Sequence, residues 1–370
     1  MKRYKRVIAK LGTNLLTGGS DQLDLVRIET IVAQVAQLRR EGTEVIVVTS
    51  GAVAAGRSRL GVTRVRRDIP FRQVLAAVGQ GQLMQAYDRL FTEHGLVVAQ
   101  ALLTRRDLAD RLSYLNARNT LLALLQYGVV PIVNENDAVA VEELAESRIG
   151  ENDTLAALTA NLVDADLLAI LMTREGLYTG DPTTDPTATL VPRVERVDAA
   201  VEAYAGGSES QGSGGMITKL RAARLAMAAG TDVFIASGFE PDVLVRLAYG
   251  ESMGTFFPAS GDRLESRKRW ILSGLSIRGS LIVDEGAARA LRERKTSLLP
   301  AGVKAVLGPF LRGETVQIAT ENEERLACGI VNYSSEEMTQ IRGAKSSEIV
   351  SILGYDYGAE AVHRDNLVLV

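Results

Sequence analysis

Histidine, cysteine and tryptophan are nearly absent: among 370 residues there are two histidines, one cysteine and one tryptophan, and aromatics amount to 5%. The single cysteine, Cys328, excludes an intrachain disulfide and suits a reducing compartment. His94 and His363, with Cys328 far from the first of them, cannot build a histidine-rich zinc cage, so a metal that takes part is expected to arrive on phosphate oxygens. Charge of one sign is also lacking. With 42 Lys+Arg against 45 Asp+Glu, the formal net charge of −3 creates no overall attraction to nucleic acid or an anionic membrane. No apolar run approaches the roughly 18 residues of a membrane span, and MKRYKRVIAKLG has basic residues without a secretory apolar core. A cytoplasmic location, no membrane contact and a small-molecule partner are therefore expected.

What is present is an apolar fraction of 46% with 24% charged residues, enough for a full core and more than one domain. From residue 5 to about 250, short apolar runs (RVIAKLG, EVIVVTSG, LVVAQALLT, GVVPIVNEND, DLLAILMT, TDVFIASG) alternate with helical patterns such as RIETIVAQVAQLRREG and LNARNTLLALLQYG. This alternation predicts an α/β fold, an open and mainly parallel sheet with helices on both faces. Around 250–270 the pattern breaks into glycine, proline, serine and charge. Beyond it VDEGAARAL, GPFLRGETVQIAT and LACGIVNYS read as a smaller α+β module with a barrel-like look. The expected division is 1–258, a linker at 259–274, and 275–370.

In open α/β sheets ligands bind beyond the carboxyl ends of the strands. Lys10, Ser50, Asn134 to Asp137, Met172, Thr173 and Ser237 all fall there. The stretch GSGGMITKL at 212–220 opens a helix, and its glycines, helix-start amides and Lys219 suit an anion; read alone, it is equally a flexible loop capped by Thr218. A lysine leaving a strand, as Lys10 does, is by itself ordinary. Paired with Lys219 it would flank a phosphoryl group in transfer, which needs positive charge on the oxygens that gain charge. Asp153 reads either as the cap of the helix DTLAALTANLVDA or as the carboxylate that orients both lysines. The amides Asn134, Asn136 and Asn152 suit a substrate with an amino group and a carboxylate. No histidine lies near these positions to serve as a base, which favours an acceptor already ionised at neutral pH, a carboxylate or a phosphate.

The strings KLGTNLLTGG, VTSGAVAAGRSRLG, LAAVGQGQLMQAY, LLTRRDLADRLSYLNARNT, VVPIVNENDAV, GENDTLAALTA, GLYTGDP and GSGGMITKL resemble the amino acid kinase family, in the branch acting on free glutamate. VDEGAARAL, SLLPAG, GPFLRGE, ILGY and VHRDNL resemble a PUA domain, so the resemblance spans almost the whole chain. It implies ATP-dependent phosphorylation of the side-chain carboxylate of L-glutamate, the first step of proline synthesis from glutamate. By resemblance Lys10 and Lys219 act on the phosphoryl group, with Asp153 holding them. Glutamate meets Ser50, Asp137 and Asn152. ATP lies along Lys10, Met172, Thr173 and the turn Ser213, Gly214, Gly215, Met216, Ile217, Thr218 and Lys219, with Mg²⁺ bridging its phosphates. Met172 and Thr173 depart from the family's Ser/Thr-Asp pair. The resemblance further implies inhibition by proline through a loop at 138–150, a homodimer or homotetramer, and coupling to glutamyl phosphate reductase.

Two alternatives are weighed beside this. A related kinase acting on acetylglutamate, aspartate, carbamate or a nucleotide monophosphate would share the lysines and glycine turn. RNA binding through the PUA-like module is not expected, because residues 275–370 carry 11 Lys+Arg against 13 Asp+Glu.

Overall fold

The computed structural model describes residues 3–20, 22–62, 69–140, 151–205, 215–260 and 277–369. Contacts divide the chain into two compact units, Met1–Ala109 with Asn116–Arg263, and Asp110–Leu115 with Leu264–Val370. The expected linker at 259–274 falls largely outside the described residues, as does Trp270.

The first unit is organised by a seven-stranded sheet in the order β3-β4-β2-β1-β5-β6-β7. Its strands are β1 (Arg6–Leu11), β2 (Glu44–Val48), β3 (Val98–Leu103), β4 (Val130–Glu135), β5 (Leu167–Met172), β6 (Asp232–Ser237) and β7 (Thr255–Phe257). All neighbouring pairs are parallel except β6 with β7. The central strands are continuous apolar runs because both faces are covered: every residue of β1 after Arg6 is buried, and all six of β4 are. From β1 the chain passes to β2 on one side, while β5 pairs on the other. Lys10 thus leaves the sheet between strands whose connections diverge, the position at which open α/β sheets form a ligand crevice.

The helices α1 (Leu25–Arg40), α2 (Ala52–Leu60), α3 (Ile69–Glu93), α4 (Arg111–Gln126), α5 (Glu151–Leu162), α6 (Met216–Ala228) and α7 (Val243–Ala248) clothe the sheet. Helix α1 begins where the Asp24 side chain accepts from the Arg27 amide, and the chain turns away at Gly42 with φ of 84°. Its buried stripe of Ile28, Ile31, Val32, Val35 and Leu38 joins Val7, Ala9, Val45 and Val47 in one core. Of the basic run RVRRDIPFR at 64–72, the described part, from residue 69, is the opening of α3 rather than a solvated loop. Strand β7 lies in the segment read as broken pattern at 250–270. Three residues are too few to show alternation, and it is held by Phe234–Phe256 stacking with ring centroids 4.6 Å apart.

The second unit holds a five-stranded sheet in the order β12-β11-β10-β8-β9, made of β8 (Gly279–Val283), β9 (Val303–Leu307), β10 (Thr315–Thr320), β11 (Arg325–Ile330) and β12 (Leu367–Leu369). Only β8 and β10 pair in parallel. Leu281, Val283, Val316, Ile318, Leu326 and Tyr333 lie in its own core.

Candidate active site

Three residues far apart in sequence meet at the carboxyl end of β1. The Lys10 ammonium lies 2.5 Å from Oδ1 of Asp153, and the Lys219 ammonium lies 3.2 Å from Oδ2. Lys10 comes from the end of β1, Asp153 from the first turn of α5 and Lys219 from the first turn of α6. The Asp153 side chain is fully inaccessible, and Lys10 and Lys219 are 5% and 7% exposed. Helix α5 starts at Glu151, so Asp153 stands inside the first turn rather than at the cap, and its carboxylate serves the lysines.

Burial pushes the Asp153 carboxyl up, but Lys10, Lys219 and the Thr218 hydroxyl together outweigh that and hold it below its ordinary value. Burial lowers the Lys219 ammonium, opposed by Asp153 and reinforced by the like charge of Lys10. Two cations against one anion leave one net positive charge in a nearly dry cluster, where it is weakly screened. The Thr218 hydroxyl lies 2.9 Å from Asp153 Oδ2 and 2.8 Å from the Gly215 carbonyl, and its one hydrogen serves them in turn. That bond to Asp153 was invisible in the sequence, where Thr218 read as part of the glycine turn.

On the other flank, Ser50 ends the turn after β2 and Gly51 follows at φ of 99°, a left-handed conformation that favours glycine before α2. The Asn152 amide donates to Ser50 Oγ at 3.1 Å, and Asn152 Oδ1 is buried without a partner among the described residues. Asn134, at the end of β4, donates through Nδ2 to Gln80 Oε1 at 2.8 Å. Asp137 stands just beyond β4. Burial pushes its carboxyl up, and Arg72 opposes this. Among the described residues no hydrogen bond joins Asp137 to Ser50 or Asn152. Residues 141–150, most of the loop at 138–150, lie outside the described residues.

Met172 ends β5, and its carbonyl accepts the Gly238 amide at 2.8 Å; the adjacent Thr173 is exposed. Beside the ends of β5 and β6 a cavity of about 190 Å³ is lined by Glu175, Ser237, Glu240, Met253 and Gly254. Two acidic side chains therefore edge a region where Met172 and Thr173 supply none; Glu175 stands just before the string GLYTGDP and Glu240 just after TDVFIASG, each outside the quoted run. Ser213 and Gly214 lie outside the described residues. Gly215 precedes α6, and a Cβ there would meet no atom within 4 Å. Among the described residues the packing thus leaves open space at the helix start, beside Lys219, which fits a phosphate group held by backbone amides.

Among the described residues no group of three or more His, Cys, Asp or Glu side chains can hold a metal, and no helix is long and apolar enough to cross a membrane.

Comparison with known proteins places these features in company. The profile of the amino acid kinase family matches residues 5–237, and that of the PUA domain matches residues 279–353. A relative in Dehalococcoides mccartyi (strain CBDB1) described as glutamate 5-kinase is 52% identical over 368 residues, covering 99% of each chain. One in Herpetosiphon aurantiacus with the same description is 52% identical over 366 residues, covering 99% of this chain and 98% of that one. A third, in Deinococcus radiodurans, is 50% identical over 366 residues, covering 99% and 100%.

Proposed function

The chain belongs to the amino acid kinase family, in its glutamate 5-kinase branch, and from that premise we propose that it transfers the γ-phosphoryl group of ATP to the side-chain carboxylate of L-glutamate, opening proline synthesis. The observation that carries this reading is the cluster of two buried ammonium groups on one carboxylate.

A carboxylate acceptor is ionised at neutral pH, so no base has to remove a proton from it. One of its oxygens forms the new bond to the γ-phosphorus while the bond from that phosphorus to the β,γ-bridging oxygen breaks. The products are an acyl phosphate and ADP. Two anions must approach closely for this, and the net positive Lys10–Asp153–Lys219 cluster offsets their repulsion where charge spreads onto the phosphoryl oxygens. Asp153 keeps each ammonium in place before substrate arrives, so little reorganisation is needed during transfer.

Ser50, Asn152 and Asp137 would receive glutamate. The nucleotide would extend from Gly215 to Lys219 toward Met172 and Thr173, its base and sugar reaching the cavity edged by Glu175 and Glu240. Mg²⁺ fits as an ion carried on the nucleotide phosphates, because the Asp153 oxygens are already engaged by the lysines. When bound it would neutralise phosphate charge.

Proline inhibition, assembly as a dimer or tetramer, a cytoplasmic location and delivery of the acyl phosphate to glutamyl phosphate reductase belong to the same proposal. They rest on the family resemblance.

The test is a coupled assay with ATP, Mg²⁺ and hydroxylamine across L-glutamate, acetylglutamate and aspartate, with and without proline. Hydroxamate should form with L-glutamate. Phosphorylation of acetylglutamate or aspartate with none of glutamate would overturn the reading.

A further inference from the structure

Close beside Ser50, helices α2 and α3 cross at unusually short range. A Cβ on Gly79 would fall 1.8 Å from the Ala52 carbonyl oxygen, and one on Gly56 would fall 1.9 Å from that of Leu75, so each position admits only glycine. The crossing presses the middle of α3 onto the first turn of α2, which directly follows Ser50 and Gly51. Gln80, the next residue after Gly79, is thereby carried to the end of β4, where its Oε1 accepts from Asn134.

The pair is unfinished. Among the described residues, Gln80 Nε2 and Asn134 Oδ1 are both shut off from solvent without a hydrogen-bond partner. A native structure rarely leaves two such atoms side by side unless something else satisfies them. The inference does not depend on which way the amides are turned. Two amides joined by one hydrogen bond always leave one whole NH2 group and one carbonyl oxygen unused. One donor beside one acceptor is the complement of an α-carboxylate beside an α-ammonium group. Asn152 Oδ1, on the residue bonded to Ser50, adds a further unused acceptor.

We propose that Gln80 is a substrate-positioning residue. Its Nε2–H donates to the α-carboxylate of the acceptor amino acid, while Asn134 Oδ1 accepts from the α-ammonium group. The proposal rests on the kinase reading above and deepens it. The lysine cluster needs only a carboxylate to phosphorylate, and the amide pair is what asks for an amino acid at the other end. A site built to hydrogen-bond a group discriminates strongly against an analogue lacking it.

Gln80→Glu is the sharper variant, because it keeps the shape of the side chain and an acceptor for Asn134 while putting a charged carboxylate oxygen in place of the donor. Gln80→Met removes both. In each, the KM for L-glutamate should rise about tenfold to a hundredfold, with the KM for ATP unchanged within about twofold. 4-Aminobutyrate, which keeps the reacting carboxylate and the amine but lacks the α-carboxylate, serves as a competing inhibitor. The ratio of its inhibition constant to the glutamate KM should fall by about tenfold or more in both variants. Gln85→Glu, on the exposed side of α3, is the control and should match the parent protein.

A glutamate KM unchanged in Gln80→Glu and Gln80→Met overturns the proposal. So does a loss shared equally by glutamate, ATP and 4-aminobutyrate, which would mark Gln80 as a packing residue. Failure of the underlying kinase reading shows itself separately, as absence of hydroxamate from the parent protein with saturating glutamate and ATP.

Discussion

The two flanks of the crevice are built on opposite terms. At the lysine flank every charged group already has a partner within the protein, with one positive charge left over: Asp153 meets Lys10 through one oxygen and Lys219 and Thr218 through the other. At the amide flank hydrogen bonding is left incomplete among the described residues, with Gln80 Nε2, Asn134 Oδ1 and Asn152 Oδ1 buried and unpartnered. The difference follows from what each flank has to do. Buried ammonium groups without an anion would be costly to keep in place or would lose their protons, so the charge that stabilises phosphoryl transfer must be assembled before substrate comes. Neutral amides tolerate waiting, and their unused atoms become a recognition pattern.

Changes at the lysine flank should therefore act on turnover and stability, and changes at the amide flank on acceptor affinity. The largest effect is expected from Lys219→Ala, which should lower kcat on the order of 10²–10³-fold by removing one transition-state charge, read in a steady-state assay. Unchanged turnover would remove Lys219 from the chemistry. Asp153→Asn comes next. It strips the anion from between two buried cations and should cost about 3–5 kcal/mol of stability in a denaturant titration, with a fall in kcat. A variant as stable as the parent would mean that the lysines are not charged together. Ser50→Ala and Asn152→Ala should raise the KM for glutamate about tenfold and that for ATP much less. An equal rise in both would dissolve the contrast between the flanks.

Acidity gives a smaller, graded test. Asp153 is held below its ordinary value, so its stabilisation is complete at neutral pH and is lost as pH falls through that lowered folded value. Lys219 has the opposite sign. Its ammonium is lowered in the folded protein, so catalysis that needs it charged should decline on the alkaline side before an ordinary lysine would titrate near 10.5. Lys219→Arg, with a guanidinium that stays charged, should move that alkaline limb upward if it retains turnover. The smallest effect is expected on nucleic acid. With 11 Lys+Arg against 13 Asp+Glu from residue 275 onward, nanomolar protein should give no salt-dependent gel shift with RNA.

Much of this was legible along the chain. Six of the seven strands in the large sheet were marked by apolar runs between helical patterns, because strands covered on both faces must be continuously hydrophobic. Lys10, Asp153 and Lys219 were each visible as polar residues at the ends of apolar elements. Gln80 was passed over within LAAVGQGQLMQAY because a glutamine in a long helix carries no local signal. Its importance arises only where the Gly79 crossing sets it against Asn134. Glu175 and Glu240 stayed hidden for a similar reason, lying in loops that meet at one cavity.

Alternating hydrophobic periodicity, glycines at turns and the order of the motifs determined the fold class and the family by themselves, since these depend on neighbours within a few positions. Which side chains meet was decided only by tertiary structure. Lys10 and Lys219 are separated by more than half the chain, and their common contact with Asp153 exists because parallel strands deliver distant segments to one edge of the sheet. Hydrogen bonding and charge pairing act over a few ångströms of space, a distance that sequence separation does not measure.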